Sequence, residues 1–189
     1  MIRNIYPRVV RPTTTLLNTT RRVSTKSIGP LAVAVSSLRP EVQRLHKDVT
    51  EFVREKIFPV EQEIRDWNEK ETWTIHPKIE ELKSQAKQAG LWNFFVPIDT
   101  DPEQKFGAGL NNLEYAHICE VTGLSMYAPE VFNCNAPDTG NMEVLIKYGT
   151  EEHKEKWLTP LLAGDIRSCF EMTNQQLPLL MLQISRPQQ

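Results

Sequence analysis

The 189-residue sequence predicts an all-α body. Apolar side chains recur at steps of three and four residues, as they do along the buried face of a helix. Proline, asparagine, threonine and glycine stand where helices begin and end. No segment before residue 165 shows the strict alternation of a half-buried strand. A chain of this length suits one domain with tails.

The first predicted helix begins at Pro40, because the fixed φ of proline suits the first helical position. Its apolar face consists of Val42, Leu45, Val49, Phe52, Val53 and Ile57. Pro59 is predicted to interrupt or kink this helix, since proline lacks an N–H and clashes with the preceding turn. Residues 61–68 are predicted to continue as a polar helical stretch.

The second predicted helix starts at His76-Pro77 and stops at Gly90, a residue that often ends helices. Its apolar face consists of Ile79, Leu82, Ala86 and Ala89. Residues 91–110 contain several turn-forming residues and are predicted to form a loop. The aromatic residues at the start of this loop, Trp92, Phe94 and Phe95, are predicted to be core or interface contacts.

Three further helices follow in the prediction. The first spans residues 111–124 and begins with Asn111, which forms a capping-box pattern with Glu114. Its apolar contacts are predicted to be Leu113, Ile118, Val121 and Leu124. The second is capped by Asp138 and closed by Gly149, and the third is capped by Thr150. Pro160 is predicted to end or bend this third helix.

The N-terminal segment is basic and free of acid. Its seven basic residues precede the first acid, Glu41, so the rest of the chain carries a net charge of −9 within an overall charge of −2. Cationic, acid-poor segments rich in Arg and Ser are typical of mitochondrial transit peptides. Residues 1–38 are therefore predicted to be a disordered transit peptide for the mitochondrial matrix, with processing after Val23. A plain basic arm is the alternative.

The rest of the composition narrows the class of partner. An acidic body does not suit a nucleic acid, because phosphates need a basic surface. No run approaches the length of about 18 apolar residues that would predict a membrane span. The cysteines, Cys119, Cys134 and Cys169, form no CxxC or Cys/His cluster, so reduced thiols and no metal site are expected.

Three stretches carry a resemblance to a known family. Residues 90–97 read GLWNFFVP and are followed by KFGAGL, residues 128–142 read APEVFNCNAPDTGNM, and residues 148–168 run from YGTEEHK to WLTPLLAGDIRS. In this order and spacing they resemble the acyl-CoA dehydrogenase family. The second stretch is similar to the subgroup of family members ten and eleven. The resemblance covers about residues 40–173.

The resemblance implies a fold. The family has an N-terminal helical domain, a middle β-domain and a C-terminal four-helix domain. Residues 39–166 would form the N-terminal helical-bundle domain, and residues 167–173 would start the first strand of the middle domain. The chain is expected to be a truncated form with only this start of the β-domain and no C-terminal helical domain, and to be inactive alone.

The resemblance also implies a reaction. It is the FAD-dependent α,β-dehydrogenation of an acyl-CoA substrate in fatty-acid β-oxidation, with electron-transfer flavoprotein as the electron acceptor and a homo-oligomeric enzyme. In the family, a glutamate base in the C-terminal helical domain removes the α-proton, and the β-hydrogen leaves as hydride to the flavin. No catalytic residue is therefore predicted within this chain.

The resemblance implies three cofactor-binding residues. In the family, the first strand of the β-domain ends Met-Thr-Glu-Pro and touches the flavin, and Phe170, Met172 and Thr173 fall on those positions. Glu171 replaces the small residue usual there, and Asn174 replaces the family glutamate. These departures put retention of FAD by this chain in doubt.

The tail departs from the family pattern after Thr173. The family text there runs EPxVASSDATNI, whereas residues 174–189 are rich in Gln, Leu and Pro. If one G is restored after an ACG codon for Thr173, codons allowed for the tail read TEPTVASSDATNI. The tail is therefore predicted to be a frame-shifted segment from an allele, a transcript variant or a gene-model error. Sequencing the locus tests this, and an unrelated exon there would refute it.

Several residues invite a functional interpretation beside an ordinary structural one. The acids Glu51, Glu55, Glu61 and Glu63 are predicted to be a solvated helix face rather than a paired acid/base site. His117 is predicted to be a partly buried structural histidine, and Cys134 a small packed side chain. The segment 138–141 is either a cap with a tight turn or the far end of an acyl pocket.

Two functions follow as alternatives. One is the acyl-CoA dehydrogenase function of the family. The other is a non-enzymatic helical module that binds acyl-CoA or a protein partner through surface that further domains would otherwise cover. Bound FAD with acyl-CoA-dependent turnover distinguishes the first from the second. A third reading is an unstable fragment, because removing domains exposes apolar surface.

Overall fold

The computed structural model describes residues 33–70, 73–171 and 181–185, with side chains from residue 33 to Phe170. The described part is mostly helical and ends in two strands, which agrees with the predicted fold class. The helices are α1 (Pro40–Phe52), α2 (Phe58–Lys70), α3 (Pro77–Gln88), α4 (Asn112–Thr122), α5 (Ala128–Val131), α6 (Asp138–Tyr148), α7 (Glu151–His153) and α8 (Thr159–Ala163). The strands are β1 (Arg167–Glu171) and β2 (Met181–Ser185).

Two π-helical turns carry the chain through its helix-interior prolines. The segment Val53–Ile57 joins α1 to α2, and Lys154–Leu158 joins α7 to α8. In each, the N–H of the residue that follows the π-helical turn donates to the carbonyl five residues earlier, from Phe58 to Val53 and from Thr159 to Lys154. The wider turn falls where the proline ring would otherwise meet a carbonyl. The helices therefore continue through Pro59 and Pro160, and neither proline ends one.

Helix α3 begins and ends as its sequence predicts. The His76 Nδ1 atom accepts a hydrogen bond from the Lys78 N–H at 3.1 Å, and Pro77 occupies the first turn. At the other end Gly90 has a φ of +71°, and the Leu91 N–H returns to the Ala86 carbonyl at 2.8 Å. This is the pattern of a Schellman motif. Ala89 is exposed, so its predicted place on the buried face is wrong.

Helix α4 carries the predicted capping box. The Glu114 N–H donates to Asn111 Oδ1 at 2.9 Å, and the Asn111 N–H donates to Glu114 Oε2 at 3.0 Å. Ile118 and Val121 are buried as predicted. The predicted contacts of Leu113 and Leu124 are wrong, since these side chains are 49% and 60% exposed. A helical face is narrow, and Leu113 falls outside the arc that faces α1, whereas Leu124 lies beyond the end of α4.

The start of α6 differs from the prediction. Asp138 is the first residue of this helix and not its cap, and Pro137 precedes it without a side-chain capping bond. The Asp138 carboxylate instead bonds to residues at the start of β1. Thr150 does cap α7, because its Oγ1 accepts from the His153 N–H at 3.2 Å. Gly149 follows the end of α6 as predicted.

The loop after α3 and the turn after α5 both contact the end of α8. Gly164 has a φ of +73°, and a Cβ there would lie 2.9 Å from Trp92 Cζ2. Trp92 Nε1 donates to the Leu162 carbonyl at 2.7 Å, and Asn133 Nδ2 donates to the Leu161 carbonyl at 3.0 Å. These donors satisfy carbonyls that a helix end leaves without intrahelical partners. The loop after α3 and the turn after α5 are thereby fixed to the last helix.

The body has two apolar cores. The larger unites α1 to α5 around fully buried residues such as Val49, Ile64 and Phe132. The smaller joins α6, α8 and the loop after α3 around Phe95, Met142, Leu145, Val96, Leu158, Leu161 and Ile166. Tyr115 and Cys134 pack against both cores. They therefore lie where the two halves of the body meet.

The loop over residues 91–110 is predicted correctly and is tightly held. Phe94 and Phe95 are buried and Trp92 is half-buried, as expected of core contacts. Buried Asp101 accepts hydrogen bonds from the backbone N–H groups of residues 105, 106 and 107 at 2.6–3.0 Å. These bonds fix the loop without a regular element.

The N-terminal edge of the described chain packs on the body. A 3₁₀ turn, Val35–Ser37, precedes α1, and Leu38 is a buried member of the larger core. Residues 33–38, which the sequence assigns to the transit peptide, thus fold with the helices. The rest of that predicted segment, residues 1–32, lies outside the described residues.

Candidate functional site

The candidate site is the place where β1 leaves the helical body. β1 pairs with β2 in antiparallel register, with Arg167 opposite Ser185 and Glu171 opposite Met181. Residues two apart share one face of a strand. Ser168 is buried against α6, and Phe170, the next residue on that face, is 39% exposed. The strand therefore passes from a buried anchor to an accessible ring within two residues.

A single carboxylate anchors the first two residues of β1. Asp138, which is 2% exposed, accepts from the Ser168 N–H at 2.7 Å and from the Ser168 hydroxyl at 2.5 Å through Oδ1. Its Oδ2 accepts from Arg167 Nε at 2.5 Å. Asn141 Nδ2 donates to the Ser168 hydroxyl oxygen at 2.7 Å. Both hydrogen-bonding roles of that hydroxyl are thus satisfied.

The guanidinium of Arg167 extends this anchor to α5 and α3. Arg167 Nη1 donates to Glu130 Oε1 at 2.6 Å, and the Lys83 ammonium lies 3.1 Å from the same oxygen. Lys83 also donates to Glu80 at 2.7 Å. Charges of alternating sign therefore run from Glu80 through Lys83, Glu130 and Arg167 to Asp138. We call this series the β1 anchor network.

The network shifts the titration of its members. Burial works to raise the pKa of Glu130, but the nearby Arg167 and Lys83 cations outweigh it and lower the pKa. Burial likewise works to lower the pKa of Arg167, and the carboxylates of Glu130 and Asp138 outweigh it and raise the pKa. The ion pairs thus compensate the cost of burying these charges.

One of the three predicted flavin-contacting residues is described. The Phe170 ring lies beside Gly140 of α6, where a Cβ would come 3.9 Å from the ring Cζ. A partly exposed aromatic ring fits contact with a flat ring system such as a flavin. Met172 and Thr173 lie outside the described residues, as do the side chains of the tail.

The segment 138–141 contacts β1 on one side and borders a groove on the other. Asp138 and Asn141 point to β1, whereas Thr139 borders a groove of about 520 Å³ between α4, α6 and the loop after α3. The groove is lined by Phe95, Pro97, Asp99, Thr100, Asn112, Tyr115, Thr139, Glu143 and Lys147. This mixed lining is more polar than the wall that a hydrocarbon chain prefers. The role of this segment in an acyl pocket stays a prediction.

The other residues singled out in the sequence do not form a joint site. Glu51, Glu55 and Glu63 are exposed, and Glu61 accepts from the Met126 N–H at 3.3 Å, so the four acids do not converge. The His117 imidazole is partly buried, and its Nδ1 lies 3.9 Å from Glu120 without a hydrogen bond. Burial raises the pKa of the Cys134 thiol to about 12, as expected of a packed side chain.

Two structural surveys cover only the described residues. Across residues 33–70, 73–171 and 181–185, no helix combines the length and the apolarity that a bilayer crossing requires. The same ranges hold no group of three or more His, Cys, Asp or Glu side chains arranged to bind a metal ion.

The β1 anchor network is the feature of the candidate site that the sequence did not predict. Its partners lie 29 and 37 residues before Arg167, so no local spacing links them. The only signal in the sequence is the presence of two acids, Glu130 and Asp138, in an otherwise uncharged stretch, residues 121–142. Acids are rarely buried unless they are paired, so such a stretch indicates distant cations.

Comparison with known proteins gives consistent matches. The family model "Acyl-CoA dehydrogenase, N-terminal domain" matches residues 39–165. Acyl-CoA dehydrogenase family member 10 of Mus musculus is 53% identical over 150 residues, which cover 79% of this chain and 14% of that protein. Family member 11 of Homo sapiens is 46% identical over 130 residues, covering 66% of this chain and 16% of that protein.

A solved structure agrees with these relatives. The structure is assigned to the acyl-CoA dehydrogenases of Mycobacterium abscessus, and it matches with a TM-score of 0.65 and 43% identity. The match covers 74% of this chain and 35% of that one. The chain thus spans about a seventh to a third of the proteins it matches. Both the helical fold and the sequence show that the chain belongs to the acyl-CoA dehydrogenase family, within its N-terminal helical domain.

Proposed function

We propose that the chain forms the N-terminal helical part of an FAD-dependent acyl-CoA dehydrogenase that acts in fatty-acid β-oxidation in the mitochondrial matrix. The observation that carries this proposal is the anchored start of β1. The buried Asp138 carboxylate holds Arg167 and Ser168 against α6, and the face that Ser168 shares with Phe170 opens to solvent one pleat later. A cofactor-contacting strand needs this rigid support.

The cofactor contacts proposed for this chain are few. Phe170 would pack against the flavin ring, and Met172 and Thr173 would add the contacts that the family pattern implies. When bound, FAD supplies the acceptor for the hydrogen that leaves the β-carbon of the acyl group. This chain would contribute position and exclusion of water rather than a proton-transferring group, since such positioning accounts for much of the rate in enzymes of this kind.

The proposal extends to partners and location. The substrate would be an acyl-CoA, electrons would pass to an electron-transfer flavoprotein, and the complete enzyme would be a homo-oligomer. Residues 1–38 would direct the protein to mitochondria, because they are cationic and free of acid. Fusion of this segment to a fluorescent protein should give mitochondrial fluorescence, and a diffuse distribution would contradict the targeting role.

We also propose that the 189-residue chain is inactive by itself, because Glu171 and Asn174 depart from the family pattern in the strand that would contact FAD. The test compares this chain with a chimera in which residues 1–173 continue into the segment that follows the Met-Thr pair in family member 10 of Mus musculus. Both are purified by gel filtration and examined for flavin absorbance. Acyl-CoA-dependent reduction of an artificial electron acceptor is then measured.

The outcomes separate the two parts of the proposal. We expect a yellow chimera that oxidises acyl-CoA, and a colourless 189-residue chain without turnover. Turnover by the short chain would overturn its inactivity. A folded chimera that binds FAD and oxidises no acyl-CoA would overturn the dehydrogenase function. The complete mouse relative is the positive control for the assay, and far-UV circular dichroism reports folding.

A further inference from the structure

We infer that Arg167 is a positioning residue for the flavin-contacting part of β1. Its guanidinium is held between carboxylates on two different helices, Glu130 on α5 and Asp138 on α6, and so fixes the direction in which β1 leaves the body. The consequence for flavin rests on the proposed function, whereas the fixing of the strand does not.

The contacts at the start of β1 are concentrated on two residues. Arg167 donates from Nε and Nη1 to separate carboxylates, and Ser168 donates from its N–H and its hydroxyl to Asp138. A strand rises by about 3.3 Å per residue, so Phe170 stands only about 7 Å beyond Ser168 on the same face. Any rotation at this anchor therefore moves the Phe170 ring directly.

The chemistry requires arginine rather than a simple cation. A guanidinium presents several N–H donors in a planar fork, and two of them here reach carboxylates on different elements. A lysine ammonium is a point charge on a flexible stem, which can satisfy one of these carboxylates but does not fix the angle between them. Replacing Arg167 with Lys keeps the charge and removes the fork.

The helical anchor is independent of the tail. Among the described residues, β1 is attached to β2 by the ladder and to the helices by the β1 anchor network together with the bond from Asn141 to Ser168. Residues 181–185 of β2 belong to the segment whose sequence departs from the family, whereas Glu130, Asp138 and Arg167 all lie within the matched region and its first following strand. The network is therefore the attachment that a chain with a different continuation would keep.

The first test measures the anchor in the 189-residue chain without any cofactor. Amide hydrogen exchange is followed at Ser168, whose N–H donates to Asp138, in the wild type and in Arg167→Lys. We expect exchange at Ser168 to become about tenfold to a hundredfold faster, because a partly buried network of charged hydrogen bonds is broken. Arg65→Lys is the matched control, since Arg65 is half-exposed and lies 3.9 Å from Glu61.

A milder variant covers the case in which Arg167→Lys does not fold. Glu130→Gln keeps the shape of the side chain and leaves the bond from Arg167 to Asp138 in place. We expect it to accelerate exchange at Ser168 by about threefold. Unchanged exchange at Ser168 in a folded Arg167→Lys or Glu130→Gln chain would overturn the anchor itself.

The second test places Arg167→Lys in the chimera described above. We expect an FAD dissociation constant raised by about tenfold or more, a shifted flavin absorption spectrum, and kcat reduced by about tenfold to a hundredfold. Faster exchange with an unchanged flavin spectrum and unchanged FAD affinity would overturn the positioning role while leaving the dehydrogenase function intact. If the wild-type chimera binds no FAD, the proposed function fails, and exchange alone decides whether Arg167 fixes β1.

Discussion

At the scale of single residues, Glu114 combines a local role with a distant one. It closes the capping box of α4 with Asn111, and it accepts from Arg39 Nε at 2.6 Å and from Arg39 Nη2 at 2.7 Å. The capping box was predictable because it depends on a spacing of three residues. The arginine contact was not, since Arg39 lies 75 residues earlier. Interactions between residues close in the sequence can be predicted from it, whereas pairings between residues far apart in the chain cannot.

Glu114→Gln should lower the free energy of unfolding by about 1–2 kcal/mol at neutral pH, because it weakens a cap and an ion pair whose arginine is half-exposed. The hydrogen bond from Arg39 lowers the pKa of Glu114 below its ordinary 4.5. The wild-type advantage is therefore complete above pH 4.5 and disappears as the pH falls through the lowered pKa. Urea unfolding of the wild type and of Glu114→Gln at several pH values, from neutral to below 4.5, measures this difference in the free energy of unfolding.

Glu41→Gln is the control for this measurement. Glu41 also contacts Arg39, at 3.0 Å, but its side chain is 53% exposed. Solvent screens such a pair, so the variant should change the free energy of unfolding by less than about 0.5 kcal/mol. Equal losses in the two variants would show that the capping box contributes nothing beyond a surface ion pair.

At the scale of elements, Pro59 and Pro160 show how a helix accommodates a proline in its interior. The sequence predicts that Pro59 interrupts or kinks its helix and that Pro160 ends or bends its helix, and in the structure a π-helical turn interrupts the α-helical hydrogen bonding just before each proline. After the second turn the Thr159 hydroxyl also donates to the Lys154 carbonyl at 3.2 Å. A π-helical turn encloses one more residue in each hydrogen-bonded loop than an α-helical turn does. The wider turn thereby accommodates the backbone N–H that proline lacks. Secondary-structure rules built on α-geometry alone do not anticipate this solution.

Pro59→Ala should change the free energy of unfolding by less than about 1 kcal/mol, because the π turn already relieves the clash of the ring. Gln62→Pro supplies the contrast, since exposed Gln62 lies in α2 without such a turn. A proline there should cost about 3 kcal/mol. Urea unfolding of both variants decides the matter, and strong stabilisation by Pro59→Ala would show that the wild-type turn remains strained.

Whole-molecule organisation was predictable only in outline. The helical class and most helices follow from apolar spacing and end signals, which act over a few residues. Asp138 was misassigned as a cap because its partners on β1 arrive from 29 and 30 residues later. The division of the body into two cores joined by Tyr115 and Cys134 likewise depends on tertiary packing. The candidate site is built from these distant contacts, so it appears only in three dimensions.

The position of Cys134 at the junction of the two cores predicts that it is alkylated more slowly than the other cysteines. Burial raises the pKa of the half-buried Cys134 thiol to about 12, so very little of it is the reactive thiolate at pH 8. Cys119 and Cys169 are exposed. An alkylating reagent should therefore modify these two rapidly and Cys134 only as the chain unfolds, as mass spectrometry over time would record. Cys134→Ser should leave the rapid phase unchanged, and three equally fast thiols would contradict this assignment.

The burial of Asp138 within the β1 anchor network has a consequence for the response of the protein to ionic strength. Mobile ions screen exposed charges over a Debye length of about 8 Å in physiological salt but act little on charges beneath the surface. Asp138 is almost fully enclosed, whereas the pairs along α1 and α2, such as Lys47 with Glu51, stand in solvent. Added salt should therefore weaken the ion pairs on the helix surfaces, whereas β1 should stay docked against α6.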